Sequence, residues 1–129
     1  MNREELKQRA LTATGTCLKE KGYIAITDVF IAMNLLTRDD YERWRFRRVP
    51  YLEGVIRGSL PAINAVVRAV TENSRRGNLR PSWTAYMSWG KGQREPLRFS
   101  KSGNANIERA YATHWLLPND VVFKTTTSS

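Results

Sequence analysis

Cysteine and histidine are nearly missing: Cys17 and His114 stand alone among 129 residues. A lone cysteine excludes an intrachain disulfide, and one of each excludes the common zinc arrangements. No apolar run approaches the roughly 18 residues that a membrane-spanning helix needs. The first residues, Met1-Asn2-Arg3-Glu4-Glu5, enter a charged helical pattern without the apolar stretch of a secretory signal, so a cytoplasmic protein is expected. The sequence also lacks a Walker loop, a dinucleotide fingerprint and a G-x-S-x-G elbow. Asp39, Asp40 and Glu42 are the nearest thing to a carboxylate cluster. Adjacent helical positions diverge, however, so Asp39 and Asp40 do not readily share one Mg²⁺. The reading is of a protein without catalytic residues, metal or cofactor.

What is present is positive charge. Lysine and arginine number 21 against 12 acids, a net of +9, and 15 of the bases are arginine. Arginine pairs bidentately with phosphate and stacks on bases, which lysine does less well. The bases cluster. Arg75, Arg76, Arg80, Lys91, Arg94, Arg98 and Lys101 face only Glu95 in their segment, so seven bases less one acid give +6 of the total +9. A second knot, Arg43, Arg45, Arg47 and Arg48, follows the acids Asp39, Asp40 and Glu42. Clustering of this kind marks a candidate for nucleic-acid binding. Solubility alone also favours a net charge away from zero.

Periodicity predicts a mainly α domain with one β-hairpin, over residues 1–123, followed by a frayed tail at 124–129. A first helix covers 3–21, with Leu6, Ala10, Ala13, Cys17 and Leu18 on its inner stripe and Gly22 as its stop. Thr27 is expected to cap a second helix and Thr37 a third, with Asn34 closing the second. Pro50 bounds the third helix, and Tyr51 to Ile56 is read as a short helical turn. Ser59, Pro61 and Gly77 frame a long helix with Ile63, Val66, Val67 and Val70 inward. From Ser82 the period changes to two. Trp83, Ala85, Met87 and Trp89 are expected inside a first strand, with Leu97 and Phe99 in a second, giving a hairpin at about 82–101. Asn104 caps a last helix whose stripe is Ile107, Ala110, Tyr111, His114 and Trp115.

The pair at Thr27 to Val49 has the length and punctuation of a helix-turn-helix, whose second helix would offer Arg38, Arg43 and Arg45 to DNA. The acids at its start weigh against that placement, and a helical hairpin in the core is the alternative. A basic hairpin on a helical bundle resembles the wing of a winged helix, which grips the sugar-phosphate backbone without reading bases. Arg75, Arg76, Arg80, Lys91, Arg94, Arg98 and Lys101 would then form a strip along it. Trp83, Trp89 and Phe99 are expected in the core, and Tyr86 points the other way. His114 is expected to be structural. The expected partner is DNA, with RNA as a variant. The second reading is a protein-interaction or homodimeric scaffold domain using Trp44, Phe46 and Tyr51, without membrane contact.

The phrases Arg47-Arg48-Val49-Pro50-Tyr51-Leu52-Glu53, Leu97-Arg98-Phe99-Ser100-Lys101-Ser102-Gly103 and Ile107-Glu108-Arg109-Ala110-Tyr111 resemble those of a family of small bacterial proteins of unknown function. The resemblance runs from about Asp28 to Leu117. It implies a bacterial source and a genuine domain, and it transfers no site residues.

Overall fold

The computed structural model describes residues 2–118, so the tail at 124–129 lies outside the described residues. The order is α1 (Arg3–Lys21), β1 (Tyr23–Ile24), α2 (Ile26–Ala32), α3 (Arg38–Arg45), a 3₁₀ turn (Leu52–Val55), α4 (Leu60–Arg76), β2 (Arg80–Trp83), α5 (Ala105–Ala112) and β3 (Thr113–Leu116). It is a mixed α+β fold, mostly helical, with a small antiparallel sheet in the order β1-β3-β2.

Four of the five helices among the described residues begin where a side chain satisfies free amides. Asn2 Oδ1 accepts from the Glu5 amide at 2.8 Å, and Thr37 Oγ1 accepts from Asp40 at 3.0 Å. Ser59 Oγ does the same for Ala62, and Asn104 Oδ1 for both Asn106 and Ile107. Gly22 closes α1 at φ 80°, a left-handed conformation that costs glycine nothing. The α1 stripe of Leu6, Ala10, Ala13 and Cys17 is buried as the spacing predicts, and it lies along α4.

Three boundaries differ from the sequence reading, each for a tertiary reason. Helix α2 starts at Ile26 with Ala25 as an uncapped N-cap, and Thr27 is buried inside it. The chain arrives there directly from β1, so pairing of that strand sets the start. The last helix stops at Ala112, because Thr113–Leu116 forms the central strand, paired on both sides. Thr113 is β-branched and favours a strand. Its hydroxyl also donates to the Arg109 carbonyl at 2.7 Å, satisfying an acceptor at the helix end.

The expected hairpin is the third difference. Residues 80–83 pair with β3, Pro81 opposite Trp115 and Trp83 opposite Thr113, rather than with 97–99. Beyond Trp83 the chain does double back, but as a loose ribbon with one bridge, Met87 to Pro96. Two backbone bonds make that bridge: the Leu97 amide donates to the Tyr86 carbonyl at 2.8 Å and the Ser88 amide to the Glu95 carbonyl at 2.8 Å. The alternation along 83–89 is real and its faces are reversed. Trp83 is 65% exposed and Trp89 40%, while Tyr86 and Ser88 are buried. Apolar surface alone suggested the opposite. Tyr86 is accepted inside because its hydroxyl lies 2.7 Å from His114 Nε2, and Ser88 because its Oγ accepts from the Glu95 amide.

The core centres on Trp44, Phe99, Tyr86, Tyr111 and Phe30. Phe99 stacks on Tyr111 with centroids 5.2 Å apart and planes at 11°, and Trp44 packs on Phe99 at 5.0 Å. The indole N–H of Trp44 donates to the Arg98 carbonyl at 2.8 Å. Among the described residues no helix is long and apolar enough to cross a membrane.

Candidate nucleic-acid interface

The capped start of α3 fixes the helix rotation so that Trp44 enters the core. Its neighbours are thereby turned outward: Arg43, Phe46, Arg47 and Arg48 are exposed, and Arg45 is half-buried. The helix breaks after Arg45, and Arg47 takes a left-handed φ of 61°.

The turn of the ribbon docks on this helix end. The Trp89 amide donates to the Arg45 carbonyl at 2.7 Å. The Trp89 ring meets Phe46 edge-on at 5.8 Å and Tyr41 edge-on at 6.0 Å. The Arg45 guanidinium lies 4.6 Å from the Trp89 centroid, 5.2 Å from Tyr86 and 6.0 Å from Tyr41. Arg47 pairs with Glu95 at 2.6 Å, and Arg48 lies 5.8 Å over Phe46. Gly90 sits at φ 108° against Phe46, where a Cβ would come within 3.4 Å of the ring. Glycine is needed there for the backbone angle, while a Cβ would only touch the ring. The turn leaves Lys91 and Arg94 exposed.

The result is one surface made from two separate stretches of sequence. Arg45, Arg47 and Arg48 come from the end of α3, Lys91 and Arg94 from the ribbon. Phe46, 44% exposed, and Trp89 lie between them.

The other predicted site residues fall elsewhere. Arg38 opens α3 and lines a cleft of about 500 Å³ with Arg9, Lys21 and Asp28, and Arg43 is paired with Asp40 at 3.0 Å. Arg75 and Arg76 are exposed at the end of α4, and Arg80 lies opposite Leu116 on β2. The sequence reading placed these three beside Arg98 and Lys101 by hairpin pairing, but β2 pairs with β3. Arg98 is absorbed into a loop: its guanidinium donates to the carbonyls of Ser100 and Lys101 and covers Tyr51 at 5.8 Å. Lys101 is exposed, while its amide donates to Glu53 Oε1 at 3.0 Å.

That loop joins the three phrases quoted above. Glu53 accepts from the Lys101 amide and from the Tyr111 hydroxyl at 3.2 Å. Glu108 accepts from the amides of Phe99 at 2.9 Å and Ser100 at 2.7 Å, and from the Ser100 hydroxyl. Burial and the facing Glu53 carboxylate raise the Tyr111 phenol above its ordinary range. These two carboxylates act as structural clamps. His114 is likewise enclosed: Tyr23 stacks on it at 5.1 Å, Tyr86 meets it edge-on, and burial lowers its pKa.

Sequence reasoning missed Trp89 as a surface residue, and it left the Arg43–Arg48 knot apart from the ribbon turn. The available signal was the pair Trp89-Gly90, a bulky ring beside a residue that lets the chain turn sharply. Among the described residues no group of three or more His, Cys, Asp or Glu side chains is placed to hold a metal. Comparison with protein families, curated proteins and solved structures finds no match to this chain.

Proposed function

We propose that the protein binds nucleic acid, DNA foremost, through backbone contacts made by the surface at the end of α3. The observation that carries this reading is the docking of the turn that bears Lys91 and Arg94 onto Arg45 and Arg47, with Trp89 against Phe46 and Arg48 over Phe46. Phosphate contacts of this kind supply affinity without sequence information. The α2–α3 pair and the adjacent ribbon support a likeness to helix-turn-helix and winged-helix proteins in the order of parts. The ribbon lies against α3, so its charges add to those of the helix.

Salt dependence tests the reading, because each neutralised phosphate releases condensed counterions. Replacing Lys91 and Arg94 with alanine should weaken binding to all sequences alike and lower the salt slope by about two. Equal affinity of variant and parent across several salt concentrations overturns it.

A second reading, an interaction or homodimeric scaffold domain, is favoured by Trp83, 65% exposed on the edge strand. It predicts dimerisation that Trp83→Ser abolishes. Trp44, one of the aromatics on which it rested, is buried.

A further inference from the structure

We infer that this surface, on the reading that it binds nucleic acid, takes single strands in preference to duplex. The first ground is the pair Trp89 and Phe46. Both rings are large, 40% and 44% exposed, and meet edge to face at 79°, so each keeps open surface beyond their contact. A base offers its face to a side chain only when unstacked, as in a single strand. Against an intact duplex the same rings would meet sugar and phosphate and gain little.

The second ground is the arrangement of charge around the rings. Arg45 stacks on Trp89 at 4.6 Å and Arg48 lies over Phe46 at 5.8 Å. Cations are thus built onto the aromatic platform itself, while Lys91 and Arg94 extend it from the turn. A groove that tracks phosphates beside aromatics that receive bases is the usual construction of single-strand binders.

The third ground is the polarity of α3. Duplex reading by a helix-turn-helix uses the first residues of the second helix. Here those residues include Asp39 and Asp40, both in the first turn, followed by Glu42. Arg43 is tied to Asp40. The acidic end repels a duplex backbone, and the basic, aromatic end is the other one.

The experiment compares a fluorescent 15-nucleotide thymidine oligomer with a mixed-sequence duplex of equal length, at matched salt. The parent should bind the oligomer at least about tenfold more tightly, with quenching of tryptophan fluorescence. Trp89→Leu should remove most of that preference by weakening the oligomer far more than the duplex, whereas Trp89→Phe should retain it. Phe46→Leu provides a second variant if Trp89→Leu melts below the assay temperature. Equal or tighter binding of duplex, or equal losses on both ligands in Trp89→Leu, overturns single-strand preference and leaves the nucleic-acid reading intact. Failure of the parent to bind either ligand at low salt removes the nucleic-acid reading itself, and this inference with it.

Discussion

Arg45 holds Trp89 twice: its carbonyl accepts the Trp89 amide at 2.7 Å, and its guanidinium covers the Trp89 ring at 4.6 Å. The two residues are distant in sequence, so this contact decides whether the ribbon turn belongs to α3 or projects away from it. The Arg45 Nε is buried with no acceptor, which makes the ring contact the main return on burying this side chain.

Arg45→Ala should therefore lower stability by about 1–2 kcal/mol in urea denaturation, through lost packing as well as lost cation–π attraction. Arg45→Met should recover most of that, since a long thioether fills the same space against aromatic rings and leaves no buried polar atom. Faster exchange of the Trp89 amide in the alanine variant would locate the loss in the ribbon. An alanine variant as stable as the parent would show that the turn is held by other contacts.

Glu108 is expected to matter more than its half-buried position on α5 suggests. Its two oxygens receive the amides of Phe99 and Ser100 and the Ser100 hydroxyl, and glutamine replaces one acceptor by a donor that faces another donor. Glu108→Gln should cost about 2–3 kcal/mol. Thermal melting or urea unfolding measures it, and a cost below about 0.5 kcal/mol would show the clamp to be dispensable.

For His114 the sign follows from burial. The folded state lowers its pKa below the ordinary value of 6.5, with Lys21 adding to the shift and Asp28 opposing it. The unfolded chain then takes up a proton more readily than the folded one. Its contribution to stability is complete above about pH 6.5 and is lost as the pH falls from there through the lower folded-state value. The stability gap between the parent and His114→Gln should narrow between pH 7.5 and pH 5. A gap that widens on acidification would mean the imidazolium is the favoured form.

Cys17 offers a check on the core. It is 5% exposed, and burial, with Asp28 second, pushes its thiol up to about 11. At pH 8 in native buffer it should react with a disulfide reagent orders of magnitude more slowly than a free thiol, and rapidly once urea unfolds the chain. Fast labelling of the native protein would show that the α1 face carrying Cys17 is open to solvent.

Local chemistry was legible in the sequence wherever one stretch of chain carried all the information. The 3–21 helix, its Gly22 stop, the Thr37 and Ser59 caps and the left-handed Asn34 depend on nearest neighbours, and they stand as the spacing implies. Positive charge and the scarcity of cysteine and histidine were equally plain. Three things depended on partners distant in sequence. Residues 113–116 leave the helical stripe because both flanking strands need a central partner. Tyr86 rather than Trp83 goes inward because His114, distant in the chain, waits for its hydroxyl. The α3 arginines and the ribbon turn become one surface only because Trp89 lands on Arg45. Periodicity gives the alternation of a segment, while which face is buried depends on whether a polar group finds its partner inside, and that is settled by tertiary packing.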